Sequence, residues 1–327
     1  MKRILSIVVA LVATITVGAQ NIAVVNSSNT TKIYQTLDEA ITNAESGSII
    51  YLPGGGFQVT DNAKIDKQLT IMGVSHRGDT DNVDGATIIS GNLNFVAGSS
   101  HSAVMGVYVS GNVVLTDSIA NFTMRYCNVN SVQVKSSKSG GMDINQCYLR
   151  NNSNFGSCNV KVSNCILHSI QYVNGGTIEH NVITAKVNYS STYSSSWYLA
   201  LYQVKSSTIT YNFLLDPGSV HNGENCNKDH NCIGTGSFGD NPAVLPKDTK
   251  WEDVFKAHKG VTIVSNYHLS NTWAASKDPD LTGIGIYGGT GFIDEALAPI
   301  PRIVSKKVAE STDGSGKLQI EVTVKAQ

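Results

Sequence analysis

The feature that most constrains the fold of this chain is a short motif repeated along its middle. Each copy has an apolar residue, two polar residues, a cysteine, any residue and a second apolar residue. Three copies, MRYCNV, INQCYL and VSNCIL, place Cys127, Cys147 and Cys165 at spacings of 20 and 18 residues. The copies IEHNVI and ITYNFL carry Asn181 and Asn212 in the cysteine position. Such self-similarity is typical of a repeat architecture.

The length of the repeat favours strands over helices. Helical-hairpin repeats need about 33 residues or more, whereas a coil of short strands fits in about 20. Apolar and polar residues alternate within each copy, which indicates strands. With 30 Gly, 7 Pro and 15% charged residues, the composition fits an ordered, turn-rich β chain. The sequence therefore predicts one elongated all-β domain over 20–302, built from stacked coils that expose a long surface.

The first 19 residues predict export. Lys2 and Arg3 precede an apolar run, and small residues at Gly18 and Ala19 suit cleavage of a signal peptide over 1–19. The run is shorter than the roughly 18 to 20 apolar residues of a membrane span, and no later segment resembles one. We therefore expect a periplasmic, cell-surface or extracellular protein without a transmembrane segment. The formal net charge of -1 disfavours a nucleic-acid partner, which needs a basic surface.

One helix is expected, directly before the repeats. Thr36 and Glu39 form a capping box, and an apolar face follows at Leu37, Ala40, Ile41 and Ala44. We predict a helix over 36–46 that covers the open end of the stacked coils, because an uncovered first coil would leave apolar side chains and strand edges in water.

Four sequence runs carry a family resemblance. The runs YQTLDEAITNAESGSIIYLPGGGF, IDKQLTIMGV and GATIISGN resemble the first coils of right-handed parallel β-helix proteins, the pectin-lyase-like superfamily. The late run GIGIYGGTGFIDEALAPIPRI looks like the end of bacterial secreted members. The resemblance implies a right-handed parallel β-helix with an N-terminal capping helix. It does not choose a chemistry, since the superfamily includes lyases, hydrolases, epimerases, tailspikes and adhesins.

The enzymatic chemistries of that superfamily make demands that this chain meets poorly. Of the four polygalacturonase motifs, Asp-Asp, Gly-His-Gly and Arg-x-Lys are not found in the sequence, and Asn-x-Asp alone (82–84 and 227–229) does not supply the paired carboxylates that hydrolysis needs. Lyases of the pectate type bind Ca²⁺ through clustered acids, whereas Asp143, Glu179 and Asp216 do not recur at one position of the repeat. These departures weaken both enzyme hypotheses.

A lyase that uses a basic residue without the acid cluster stays open. If the cysteine position points inward, the residues three positions later point outward, and these are Asn130, Arg150, His168 and Thr184. Arg150 and His168 would then be neighbours about 4.8 Å apart, with Lys186 and Tyr189 in the next coil. We take Arg150, His168 and Lys186 as candidate catalytic bases. The alternative is an ordinary solvated outer face.

The six cysteines fall into two kinds. Cys127, Cys147 and Cys165 should stack as buried thiols, interchangeable with the two asparagines. Cys226 and Cys232 flank a polar stretch in what we interpret as an inserted loop over 216–258, and an exported protein favours a disulfide between them.

Two loop regions are candidate ligand sites. Asp79, Asp81 and Asp84 precede a glycine and suggest a Ca²⁺ loop, although Val83 replaces a ligand of the EF-hand pattern and an acidic turn is the simpler alternative. Flat aromatic and polar side chains that suit sugar rings occur near the inserted loop. The candidate substrate-binding residues are Tyr189, Tyr193, Trp197, His221, His230 and Trp251. The alternative is that the aromatic side chains pack the loop against the coils.

The C-terminal part raises a question of burial. Residues 303–327 end in an alternating pattern typical of a half-buried strand. In addition, Ile166, Val182 and Phe213 form an apolar stripe that should face outward and therefore needs a cover. We expect the tail or a protein partner to supply it.

Together these patterns predict a secreted or surface-exposed protein that binds polysaccharide, in the manner of an adhesin or a glycan-binding component. The alternative from a different class is a polysaccharide lyase acting on an acidic glycan. The missing hydrolase motifs and the scarcity of acids favour binding, whereas the Arg150 and His168 pair and the aromatic residues near the inserted loop keep the lyase open.

Overall fold

A computed structural model describes most of the chain up to residue 234 and shorter stretches after it. The described residues are 21–61, 63–77, 85–185, 200–214, 222–234, 238–239, 243–244, 254–257, 266–269, 283–292, 302–309, 311 and 314–325. They form an all-β structure with two large sheets and one short helix.

The smaller of the two sheets, sheet A, has 11 strands. Its strands are β1 (Ile22–Val25), β2 (Thr31–Tyr34), β3 (Ser48–Leu52), β6 (Leu69–Gly73), β9 (Ala103–Met105), β12 (Thr123–Arg125), β15 (Met142–Asn145), β17 (Val160–Ser163), β19 (Thr177–Glu179), β22 (Thr208–Thr210) and β25 (Asn227–Asp229). The pairs β1–β2 and β1–β3 are antiparallel, and every pair from β3 to β25 is parallel.

The larger sheet, sheet B, has 16 strands, and its pairs are parallel. Its strands are β4 (Gly55–Gln58), β5 (Lys64–Ile65), β7 (Thr87–Ser90), β8 (Leu93–Phe95), β10 (Tyr108–Val109), β11 (Val113–Leu115), β13 (Asn128–Val129), β14 (Val132–Val134), β16 (Tyr148–Cys158), β18 (Ile166–Asn174), β20 (Val182–Ile183), β21 (Leu201–Lys205), β23 (Phe213–Leu214), β24 (Asn222–Glu224), β26 (Cys232–Ile233) and β27 (Ala243–Val244).

Each sequence repeat contributes to both sheets. In the first cysteine repeat, Met124 lies in sheet A and Val129 in sheet B, and Cys127 lies between them. The next repeat pairs in the same register, with Met124 beside Ile144 and Val129 beside Leu149. A motif of fixed length therefore places equivalent side chains one strand apart in both sheets, and their apolar members form one continuous core.

The cysteine position is buried in every repeat, as predicted. Its occupants are Cys127, Cys147, Cys165, Asn181, Asn212 and Asn231. Each asparagine Oδ1 accepts a backbone N–H from the preceding repeat: Cys165 to Asn181 at 2.9 Å, Asn181 to Asn212 at 3.0 Å and Asn212 to Asn231 at 3.0 Å. The thiols make weaker equivalents, such as the backbone N–H of Cys147 to Cys165 Sγ at 3.4 Å.

The predicted helix is α1 (Leu37–Asn43), which is shorter than expected. Thr36 Oγ1 accepts the backbone N–H of Glu39 at 3.2 Å, so the hydroxyl half of the capping box is present. Leu37, Ala40 and Ile41 are buried and join the core at its N-terminal end.

The region interpreted as an inserted loop, 216–258, instead contains strands of both sheets. Residues 227–229 extend sheet A, and 222–224, 232–233 and 243–244 extend sheet B. The repeat here begins with Lys228 rather than an apolar residue, and its ammonium lies 5.2 Å from the centre of the Phe238 ring. That cation–π contact accommodates a lysine at an otherwise apolar position.

The apolar stripe is covered by the chain itself. Residues 283–292, which we call the strap, place the buried side chains of Ile284 and Ile286 in one cluster with the stripe residues Ile166, Val182 and Phe213. The other buried residues of this cluster are Cys232, Val254 and Phe255. The expectation that the tail or a protein partner covers these three residues is therefore wrong.

Hydrogen bonds fix the strap at the corner that precedes the cysteine position. Asn164 Nδ2 donates to the carbonyl oxygens of Ile286 (2.9 Å) and Gly288 (2.7 Å), and Thr290 Oγ1 donates to Asn164 Oδ1 at 3.0 Å. The backbone N–H of Gly285 donates to the Tyr211 carbonyl at 2.8 Å.

The C-terminal tail forms a separate two-stranded antiparallel sheet with the segment before it, β30 (Arg302–Val308) and β31 (Ile320–Lys325). Leu318, Ile320 and Val322 are 47%, 57% and 45% exposed, so the predicted half-burial is not found at these positions. A further small antiparallel pair consists of β28 (Phe255–Ala257) and β29 (Asn266–Leu269).

Candidate functional site

Arg150, the first candidate base, makes several contacts with earlier repeats of the fold. Its guanidinium donates to Asn128 Oδ1 at 2.6 Å and to the carbonyls of Val109 and Ser110 at 2.8 and 2.9 Å, and lies 4.6 Å from the Tyr108 ring centre. Burial lowers the pKa of the Arg150 guanidinium, while Tyr108 and Tyr148 oppose the shift. An arginine holds its charge under such conditions, so Arg150 is a half-buried cation that ties three repeats together and not a proton acceptor.

Arg150 and His168 are not equivalent neighbours because the strands slip between them. Leu149 pairs with Leu167, but the next pair is Asn152 with Ser169, so two residues of β16 stand opposite one residue of β18. Such a β-bulge redirects the side chains beside it. Here the Arg150 guanidinium reaches toward the earlier repeats, away from β18.

His168 retains properties of a base. It is half-buried, and burial lowers the pKa of its imidazole from its ordinary value, so the ring is neutral near pH 7. Its ring makes no hydrogen bond to any described residue. The rest of the predicted outward row is occupied: Thr184 is buried and donates to the Leu167 carbonyl at 3.2 Å, and Asn130 bonds to its asparagine neighbours.

His230 lies in an aromatic column. The rings of His180 and Tyr211 are stacked with centres 5.0 Å apart, and those of Tyr211 and His230 are also 5.0 Å apart. All three residues have positive φ, between 51° and 59°, at the corner before the cysteine position. His230 Nδ1 bonds to Asp229 Oδ2 at 2.9 Å, and His180 Nδ1 donates to the Gly283 carbonyl at 2.7 Å. One end of this column therefore supports the strap.

A row that the sequence reading overlooked runs across the outer face of sheet B. Register places Asn94, Val114, Gln133, Asn154, Gln171 and Tyr202 side by side on successive strands. Each is partly exposed and has a buried residue immediately before it in the strand, so the row faces outward. We call the four amides, Asn94, Gln133, Asn154 and Gln171, the amide row. In the sequence, these outward positions are indicated by a polar residue between two apolar ones, as in LNF and VQV.

The amide row keeps hydrogen-bonding groups unused among the described residues. The side chains of Asn94 and Gln171 have no bond to a described residue. Asn154 Oδ1 accepts the Gly156 N–H at 2.9 Å, which leaves its Nδ2, and Gln133 Nε2 donates to Ser131 Oγ and the Asn152 carbonyl, both at 2.9 Å, which leaves its Oε1. The row thus offers both donors and acceptors to a ligand.

Two tyrosines, Tyr172 and Tyr202, lie at the end of the amide row next to Gln171. Tyr172 meets Tyr202 edge to face, with ring centres 5.4 Å apart. Partial desolvation, followed by the interaction with Tyr202, raises the pKa of the Tyr172 phenol, so the phenol is neutral near pH 7. An aromatic pair beside amides is the combination that contacts a sugar ring through its apolar face and its hydroxyl groups.

The predicted disulfide has no counterpart in the structure, where all six cysteines are free thiols. Cys226 is partly exposed and packs against the main core, whereas Cys232 is buried in the cluster under the strap. The strand that separates them places the two thiols at different positions of one repeat.

Several predicted site residues lie outside the described residues. These are Asp79, Asp81, Asp84, Lys186, Tyr189, Tyr193, Trp197, His221 and Trp251. Among the residues that the structure does describe, no group of three or more His, Cys, Asp or Glu side chains could hold a metal ion.

Comparison with known protein families, curated proteins and solved structures finds no match to this chain. Within the described segments, no helix has the length and apolar character needed to cross a membrane.

Proposed function

We propose that this chain is an exported right-handed parallel β-helix of the pectin-lyase-like type that binds polysaccharide on its outer face. The parallel register at a spacing of about 20 residues supports the fold, together with the sequence runs that resemble that superfamily. The signal-peptide pattern of the first 19 residues supports export to the periplasm, the cell surface or the medium.

The observation that carries the binding proposal is the amide row with its terminal tyrosine pair. Parallel strands are spaced by about 4.8 Å, so Gln133, Asn154 and Gln171 offer polar groups at regular intervals, and Asn94 adds one beyond Val114. A linear polysaccharide presents hydroxyl groups at regular intervals as well. Rigid strands hold the amides in place, which lowers the entropic cost of binding.

One observation favours the lyase alternative. His168 is a neutral imidazole whose ring has no described hydrogen-bond partner, which suits proton abstraction next to a uronate carboxylate. Arg150 does not support this alternative, because its guanidinium is committed to three acceptors and an aromatic ring.

The test is an array of neutral and acidic polysaccharides probed with the mature chain, combined with an ultraviolet assay for unsaturated uronate. Retention without elimination supports binding. Elimination that is lost in His168→Ala and kept in Arg125→Ala would establish the lyase instead. Absence of both retention and elimination on every glycan would overturn the proposal.

A further inference from the structure

The amide row differs in charge from the outer face of sheet A. On sheet A, Arg125 pairs with Asp143 at 2.6 Å, and Lys161 pairs with Glu179 at 2.8 Å. On sheet B, the outward positions from Asn94 to Gln171 are four amides and a valine, without an ionisable side chain.

Two exposed cations lie at or beside the amide row. Lys64 pairs with Asn94 and so continues the row by one strand, and Lys135 follows Gln133 by two residues. Recognition of a uronate at each sugar would need donors of positive charge repeated along the face, because carboxylates accept hydrogen bonds and are best bound by charged donors. The row does not repeat a cation in this way.

The unused groups of the row match hydroxyl chemistry. Among the described residues, Gln133 leaves an acceptor, Asn154 leaves a donor, and Asn94 and Gln171 leave both. A sugar hydroxyl both donates and accepts, so it can pair with either kind of group. We infer that the ligand of the amide row is a neutral, hydroxyl-rich polysaccharide lying across the strands, with the Tyr172 and Tyr202 pair at one end. This inference rests on the polysaccharide-binding function proposed above.

The experiment is affinity electrophoresis of the mature chain in gels that contain either a neutral glucan or mannan, or polygalacturonate or alginate. Each gel is run at low salt and at about 1 M salt, where the Debye length falls to about 3 Å. We expect retardation by a neutral polysaccharide that salt leaves unchanged. The triple variant Gln133→Ala/Asn154→Ala/Gln171→Ala should weaken it by about tenfold or more, since each amide contributes a hydrogen bond.

Two variants keep the result interpretable. Lys161→Ala/Glu179→Ala removes an ion pair from the outer face of sheet A and should leave retardation unchanged. Gln171→Glu keeps the side-chain shape and removes its donors, and it should weaken retardation even if the triple variant fails to fold.

The outcomes separate the inference from the function on which it rests. Binding only to the acidic polysaccharides, weakened by salt, would overturn the neutral ligand while leaving polysaccharide binding intact. Neutral binding that is unchanged in Gln171→Glu and in a folded triple variant would overturn the assignment to the amide row. No retardation by any polysaccharide would overturn the proposed function itself.

Discussion

At the residue scale, buried asparagines link successive repeats where main-chain pairing is interrupted. Asn212 Nδ2 donates to the carbonyls of Ile178 and Thr210, and its Oδ1 accepts the backbone N–H of Asn181. We expect Asn212→Ala to lower the free energy of unfolding by about 2 to 5 kcal/mol, because several buried polar groups lose their partners. Asn212→Cys should cost less, since Cys165 makes similar contacts. Equal losses in denaturant titrations of both variants would contradict this role.

Arg150 gives a second expectation at this scale. Arg150→Ala removes the charged donor of Asn128, a residue only 6% exposed, and should lower the free energy of unfolding by about 1 to 3 kcal/mol. Arg150→Lys should recover only part of this, because an ammonium cannot reproduce the planar fork of donors. The matched control is Arg125→Ala, which breaks an exposed pair with Asp143 and should cost about 1 kcal/mol or less. Equal stability of the two alanine variants in urea would refute the supporting role.

His168 predicts a dependence of stability on pH. Burial lowers the pKa of this imidazole in the folded state. In the unfolded chain the pKa of His168 is about 6.5, so as the pH falls below that value the unfolded chain takes up the proton before the folded protein does. The contribution of His168 is complete above that pH and is lost as the pH falls through the lower, folded-state pKa. Urea titrations at several pH values should show this loss in the wild type and a smaller one in His168→Gln. Identical pH profiles would contradict it.

At the scale of elements, the strap depends on glycines that approach the aromatic side chains closely. A Cβ on Gly285 would lie 2.7 Å from the Phe213 ring, and its φ of 82° already disfavours other residues. Gly285→Ala should therefore displace the strap, expose the apolar stripe and increase binding of the dye ANS. Gly291→Ala shares the positive φ, at 78°, but its nearest neighbour is 3.9 Å away. It should change dye binding little; an equal increase would show that backbone strain, not the contact, is responsible.

The elements that the sequence predicted are those that the repeat itself encodes. Strands around Cys127, Cys147 and Cys165 follow from alternation within each copy, because one face is buried and the other is not. The strap could not be foreseen, since Asn164 binds a carbonyl 122 residues away and no local pattern records such a contact. The repeat that begins at Lys228 does not match the sequence motif, because a lysine in a cation–π contact takes the place of the first apolar residue.

The candidate site was predictable only in part, for a related physical reason. The prediction that Arg150 lies beside His168 assumed an uninterrupted strand register. The bulge between Leu149 and Asn152 breaks that register and redirects the Arg150 side chain. The amide row, in contrast, lies in regularly paired strands and could have been read from the sequence. Polar residues that face outward were passed over because most such residues are ordinary solvated surface.

At the scale of the whole molecule, stability should vary along the chain. Strands from β9 to β22 have a paired neighbour on both sides, so each is held by interfaces with two repeats. The sheet of β30 and β31 has a single pairing, and the side chains of Ile320 and Val322 in β31 are exposed. An isolated hairpin is marginally stable in water.

Hydrogen exchange measured by mass spectrometry tests this distribution. We expect the slowest exchange in peptides from 103–185 and 200–214, whose amides open only when neighbouring repeats open with them. Peptides covering 302–325 should exchange fastest among the described strands, because opening the hairpin breaks one pairing and exposes little additional apolar surface. Ile144→Ala supplies the control: the cavity should cost about 2 to 5 kcal/mol and speed exchange in the repeats on both sides while leaving 302–325 unchanged. Protection of 302–325 equal to that of the central strands would show that the tail is packed against the main sheets.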